Sequence, residues 1–294
     1  MKVRIGVGAR LPSHAGDELG QLVRDLEELH FDSLWLADIL SVPGDDPLTG
    51  LAYAAGAVAK LKIGTTMVLP GRNPVRLAKQ IATLDQVSAG RLLLTFVFGL
   101  RLPAELAAMG IDPGRRGALV DEVLPLLRRL WSEDDVDHAG AAYRYEGITV
   151  EPKPRQQPLD MWLGGNVPSS LRRIGRLADG WLPSMCTPDE VAAGRRVIEE
   201  TAAAAGRSID PEHYGMSIGY IRGDVSPRMG RLATPRTDAE VAELVPNGTK
   251  ALRTLIERYI EVGFSKFVVR PLVTPASWRA ELEDLADGVL DLQA

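Results

Sequence analysis

The sequence predicts an α/β fold: a (β/α)8 TIM barrel, one domain over residues 1–294, with an insertion before strand five and a long loop after strand seven. Three observations carry this. Eight short apolar runs recur along the chain, continuous rather than alternating, as strands covered on both faces should be. Stretches with three- and four-residue apolar spacing lie between them, and such alternation with right-handed crossovers builds a parallel sheet. No glycine-rich fingerprint follows the first run, so an open doubly wound sheet loses its main support and eight units point to closure.

The strands are expected at Val3–Ala9, Ser33–Ala37, Lys62–Leu69, Leu92–Phe98, Met161–Gly164, Gly180–Pro183, Tyr214–Ile221 and Lys266–Arg270. Leu19, Leu22, Leu26 and Leu29 form one apolar stripe of a first helix. Val75, Leu77, Ile81, Leu84 and Val87 repeat the pattern, as do Val120, Val123, Leu124, Leu127 and Leu130. Pro188 opens another helix where its missing N–H costs nothing, and Val191 through Ala205 continues it. Leu252, Leu255, Ile256, Tyr259 and Ile260 mark the next, and Leu282, Leu285, Val289 and Leu290 the last.

Two stretches break the alternation. Val136–Val150 reads as a hairpin or extended insertion with Gly140 and Gly147 as turn residues, and Pro152, Pro154 and Pro158 favour an extended connector after it. Arg222–Asn247 holds Gly223, Pro227, Gly230, Pro235 and Pro246, and reads as a lid, a binding loop or a disordered piece.

The composition, 45% hydrophobic and 25% charged, is that of an ordinary soluble globular protein. A formal net charge of -5 argues against nucleic acid or an anionic membrane as partner. One cysteine, Cys186, permits neither an internal disulfide nor a cysteine zinc cluster. The histidines, His14, His30, His138 and His213, show no metal-type pairing. The start MKVRIGVGARLP is too short and too quickly polar for a signal peptide, and no apolar run approaches the ~18 residues of a membrane span. A reducing, cytoplasmic location is the expectation.

In a barrel the ligand site lies on the loops that follow the strands. The fifth loop, Gly164-Gly165-Asn166-Val167-Pro168-Ser169-Ser170, is the strongest physical signal. Two glycines let backbone approach a ligand, and a new helix offers free N–H groups to a phosphate or carboxylate. The same residues also suit a plain strand-to-helix turn. Asp38, ending a buried strand, is either a catalytic carboxylate or a structural one paired with an arginine. His14 is a candidate proton donor over the barrel mouth or an idle loop histidine. Arg72 and Arg270 are candidates for an anionic substrate or cofactor tail, or for salt bridging. Cys186 reads as a small hydrophobe.

Longer stretches carry a resemblance. Phe31 through Asp38 (FDSLWLAD), Ile63 through Pro74 (IGTTMVLPGRNP) and Leu84 through Leu92 (LDQVSAGRL) resemble the luciferase-like monooxygenase superfamily. So do Arg115-Arg116-Gly117 with Asp121-Glu122, Leu130-Trp131, Pro152-Lys153-Pro154, Trp162 through Asn166 (WLGGN) and Arg176 through Pro183 (RLADGWLP). The likeness covers most of residues 1–185 and is closest to the F420-dependent branch. It implies a barrel binding coenzyme F420 or FMN, with phosphate on Gly164, Gly165, Asn166 and Val167, and the strand-two acid at Asp38. It also implies a non-proline cis peptide at Thr66–Met67 under the ring system, Phe98 and Gly99 lining the same pocket, and a homodimer.

The sequence departs from that pattern in places. Ile39 stands where many deazaflavin enzymes have histidine. Thr95 and Val97 replace glycines after strand four, and Leu100 replaces a functional side chain. The leading expectation is an F420-dependent oxidoreductase moving a hydride between deazaflavin and a small organic substrate, with Asp38 and His14 as catalytic candidates. An FMN-dependent luciferase-like monooxygenase is the first rival. The second is a degenerate barrel that has lost its cofactor and serves as a binding protein or cofactor-free catalyst.

Overall fold

The computed structural model describes residues 1–11, 17–42, 44–223 and 236–293. Eight strands pair in parallel: β1 (Arg4–Ala9), β2 (Ser33–Ala37), β3 (Lys62–Val68), β4 (Leu92–Val97), β7 (Trp162–Leu163), β8 (Gly180–Trp181), β9 (Gly215–Tyr220) and β10 (Lys266–Pro271). Their order is β8-β7-β4-β3-β2-β1-β10-β9. Single parallel bridges, Trp181 to Tyr214 and Ser184 to Ser217, join the two end strands and bring the ring to closure. The insertion is a hairpin, β5 (Val136–Ala139) antiparallel to β6 (Arg144–Ile148). Glu122 fastens it, accepting from the Ala142 and Tyr143 N–H groups, both at 2.9 Å.

The helices that bear on the site are α1 (Glu18–Glu28), α2 (Pro47–Ala57), α3 (Pro74–Val87), α4 (Pro103–Ala108), α5 (Arg116–Ser132), α6 (Pro168–Leu177) and α7 (Pro188–Ala204). After them come α8 (Asp238–Leu244), α9 (Thr249–Glu261) and α10 (Trp278–Val289). A repeated device starts several of them: a capping side chain followed by proline at the first helical position. Asp46 accepts from Thr49 N–H, Asn73 from Arg76 N–H, and Thr187 forms a capping box with Glu190. The stretch expected to be one long loop, Arg222–Asn247, contains α8, which Thr237 and Glu240 cap reciprocally. The remainder of that stretch, 224–235, lies outside the described residues. Among the described residues no helix is long and apolar enough to cross a membrane.

Strand residues alternate between two environments. Ile5, Val7, Leu34, Leu36, Ile63, Met67, Leu94 and Phe96 are buried in the layer between sheet and helices. Each such side chain contributes about 1.5–3 kcal/mol when removed from water. The other face turns into the barrel and is unusually rich in glycine. Trp35, Leu182 and Val268 fill it, with Leu93 and Trp162 against them.

Gly64 is glycine because the Trp35 indole occupies its side-chain position: a Cβ there would lie 2.5 Å from two ring atoms. Gly64→Ala is expected to cost about 1–3 kcal/mol by overpacking. Urea unfolding checks this; an unchanged midpoint would show that the indole has room to retreat.

Candidate functional site

The carboxyl ends of the strands form the mouth, and the sequence-predicted residues fall there in two groups. Asp38 is one of the few buried acids, and its role at this end is visible. Its Oδ2 accepts from Arg72 Nη2 at 2.7 Å and from the Val68 N–H at 3.1 Å. The pair clips the end of β2 to the loop after β3, so Arg72 is committed to a salt bridge. A second buried acid, Glu105 of α4, accepts from the N–H groups of Leu40 at 3.1 Å and Ser41 at 2.9 Å and holds the loop after β2.

The peptide between Thr66 and Met67 is trans, which corrects the expectation of a cis bond there; cis bonds among the described residues occur before Pro152 and Pro158. The parallel ladder explains it. Thr66 and Met67 lie in unbroken register with Thr95 and Phe96, which a cis bond would interrupt. Thr66 faces the barrel interior, whereas Met67 is fully buried against the helices. Phe98 turns outward beneath Arg173, whose guanidinium sits 5.3 Å above the ring. Phe96 is buried in the core, and the Phe98 ring lies beside the Gly165 turn, 3.7 Å from where a Cβ on Gly165 would stand. Gly99 and Phe98 offer their carbonyls to Arg116 Nη1 at 3.5 and 3.3 Å.

The loop after β7 is shaped around Gly165. Its φ of +100° is costly for a residue with a side chain, and a Cβ would meet Ser170 Oγ at 3.1 Å. Trp181 Nε1 donates to the Gly165 carbonyl at 2.8 Å and locks the turn. Asn166 donates to Cys186 Sγ at 3.2 Å, and burial pushes the Cys186 thiol up to about 11, which disfavours the thiolate. Helix α6 then begins with Pro168, as α2, α3 and α7 begin with proline, but Val167 stands in the cap position and no side chain caps it. Pro168 carries no N–H, and the Ser170 and Leu171 N–H groups donate to the Val167 carbonyl at 2.8 and 3.0 Å, which leaves the Ser169 N–H for a ligand beside the Gly165 turn. That combination fits a phosphate-bearing tail. Arg173 is no part of it, being bidentate to Asp121 at 2.7 and 3.0 Å.

A cavity of about 170 Å³ opens at this mouth. Ile39, Val42, Leu100, Leu102, Leu272 and Trp278 give it apolar walls, and Ser184, Ser217, Arg10 and Arg270 give it polar ones. No carboxylate or imidazole lines it among the described residues. Arg270 projects inward from β10 over Gly8, whose missing Cβ would lie 3.1 Å from the Arg270 Cβ. Burial, reinforced by Arg10, holds the Arg270 guanidinium below its usual pKa, and no acid pairs with it among the described residues. Trp278 Nε1 is buried and without a hydrogen-bond partner. Arg116, also at the mouth, is lowered by burial and by Arg101. The cavity at the mouth thus presents arginine and hydroxyl groups and, among the described residues, no carboxylate. Such a site suits an anion attached to an apolar body.

Sequence reasoning separated neither Arg270 from Arg72 nor Trp278 from the other aromatics. Ser184 and Ser217 also escaped notice; their one signal is position, just after or within an inward-facing strand. His14 lies outside the described residues. Among the described residues no group of three His, Cys, Asp or Glu side chains could hold a metal.

The chain has relatives among known proteins. The family model described as luciferase-like monooxygenase matches residues 2–258. A sulfoquinovose monooxygenase of Agrobacterium fabrum is 30% identical over 238 residues, 79% of this chain and 59% of that protein. An F420-dependent glucose-6-phosphate dehydrogenase of Kineococcus radiotolerans is 28% identical over 189 residues, 61% of this chain and 56% of that protein. The chain therefore spans less than two thirds of the length of these relatives. Among solved structures, an F420-dependent secondary alcohol dehydrogenase in complex with an F420-acetone adduct superposes with a TM-score of 0.85 at 20% identity, covering 100% of both chains.

Proposed function

We propose, from the premise that this chain belongs to the luciferase-like monooxygenase family, that it is an oxidoreductase passing a hydride between coenzyme F420 and a small anionic organic substrate. The observation that carries the substrate reading is Arg270, an inward guanidinium without an acid partner among the described residues, in an apolar-walled cavity at the catalytic end of a barrel. The relatives named for F420-dependent glucose-6-phosphate dehydrogenation support the deazaflavin, and so does the likeness in fold to an F420-dependent enzyme.

When bound, the deazaflavin supplies the hydride chemistry, and the protein supplies orientation, electrostatics and exclusion of water. The α6 N-terminus and the Gly165 turn would hold its phosphate, and Asn166 would line the same turn. Arg270 and the Trp278 N–H would orient the substrate's anionic group, with Ser184 and Ser217 as neutral hydrogen-bonding neighbours. Asp38 acts through Arg72 and Val68, fixing the rim rather than meeting substrate. His14 stays the candidate for proton transfer, since the described walls of the cavity offer no acid or base.

Titration of the purified protein with F420 and with FMN, followed by fluorescence, tests this directly. F420 is expected to bind with Kd of roughly 10 µM or tighter. If neither cofactor binds below about 100 µM, roughly -5.5 kcal/mol, the redox reading falls and a cofactor-free barrel replaces it. A monooxygenase using reduced FMN is the second reading, favoured by the 30% identity to sulfoquinovose monooxygenase and by an FMNH2-dependent dimethylsulfone monooxygenase among the relatives. Oxygen uptake with reduced FMN, and none with reduced deazaflavin, would select it.

A further inference from the structure

We propose that the amino-terminal end of the barrel is a second ligand site, shaped for an uncharged planar heteroaromatic ring. A cavity of about 190 Å³ enters the barrel there, at the opposite end from Arg270. Its walls are Trp35, Leu93, Leu182 and Val268, with Trp162 beside them. Gly6 lets the Ser33 hydroxyl and the Trp35 indole seat against its backbone, where a Cβ would collide with both. An apolar cavity of about 150 Å³ suffices for benzene, so this one has room for one ring or two fused ones.

Two features narrow the ligand class. The first is Thr95. Among the β4 residues that line the cavity it lies deepest, it is fully buried, and its Oγ1 has no hydrogen-bond partner. Buried hydroxyls are rarely left in that state, and a ring N–H or ring oxygen reaching it would complete it. The second is the balance of charge at the entrance. Lys62 and Arg4 both approach Asp32, at 3.0 and 3.6 Å. Lys266 faces Glu212 at 3.4 Å, and His213 faces Asp160 at 3.7 Å. These charges answer one another, so the entrance carries no clear surplus to draw in an ion. An uncharged ring keeps those pairs intact, whereas an ion would compete with them. The Trp162 and His213 rings, with centroids 5.3 Å apart, stand at the same entrance as an aromatic edge for such a ligand to pass.

The inference is independent of the flavin or deazaflavin reading, because it uses the other end of the barrel. Calorimetric titration of the intact protein with indole and with toluene tests it. Indole is expected to bind at one site with Kd of about 1 mM or tighter. Val268→Phe, which fills the cavity, is expected to abolish the heat, and Leu93→Phe serves the same purpose if that variant fails to fold. Thr95→Val is expected to weaken indole by roughly 3- to 10-fold, the worth of one hydrogen bond, and to leave toluene unchanged. Absence of saturable indole binding to the native protein would overturn the proposal. So would indole binding that survives Val268→Phe or Leu93→Phe but disappears in Arg270→Met, which would place the ring at the mouth instead.

Discussion

Arg270→Met is expected to raise the melting temperature while lowering turnover of an anionic substrate by about 10- to 100-fold, the worth of a charge-assisted hydrogen bond of 1.5–3 kcal/mol. The two effects share one cause. In the folded protein the arginine is half-buried, faces a second arginine, and has no acid partner among the described residues. Its charged form is therefore held at a cost that methionine, with a similar stem and no charge, would not incur. In a chain of this size each kcal/mol recovered moves the midpoint by about 2–4 °C. Sulfate supplies a check that needs no knowledge of the substrate. It should stabilise the native protein against heat more than chloride at equal ionic strength, and in the variant that difference should shrink to the general stabilisation that sulfate gives any folded protein. A variant that melts lower than the native protein, with its sulfate response intact, would show that Arg270 is structural.

Asp38→Ala should cost about 3 kcal/mol, the lower end of the range for breaking a buried ion pair. The lower end applies because the Arg72 side chain is 23% exposed, against 4% for Asp38, so water compensates part of the loss. The Val68 N–H would also lose its acceptor. Asp38→Asn should fall between alanine and native, since an amide oxygen can still accept from Val68 but carries no charge for Arg72. Combining Asp38→Ala with Arg72→Met should recover much of the loss, because the orphaned cation goes too. Urea midpoints for the four proteins measure all of this. If Asp38→Ala left stability within about 0.5 kcal/mol of native, as a substitution away from any such feature does, and instead abolished cofactor binding, the carboxylate would belong to the chemistry after all.

The eight strands were legible because each is a short run without polar alternation, and sheet burial on two faces writes itself into sequence in that way. Other elements were hidden for identifiable reasons. Helix α2 is built from LTGLAYAAGA after Pro47, small residues on every side, so no stripe stands out. Its cap, Asp46 before Pro47, was the usable signal. Helix α8 sat inside a segment dominated by glycine and proline, although Thr237 and Glu240 spell a capping box. The site was less legible than the fold. Arg72 and Arg270 are equivalent on paper; only the fold brings Asp38 to the first and leaves the second alone. Trp278 joins the mouth because α10 follows β10 around the end of the ring, a matter of tertiary path rather than motif. The trans peptide at Thr66–Met67 shows the converse, a family expectation that an intact ladder overrides.

The glycine-rich lumen has one more consequence. Leu182 and Val268 line the lower chamber, and Ser184 and Arg270, each two residues further along the same strand or its continuation, line the upper one. Neighbouring inward-facing residues of one strand therefore serve the two chambers in turn, so a substitution meant for one of them is made next door to a wall of the other.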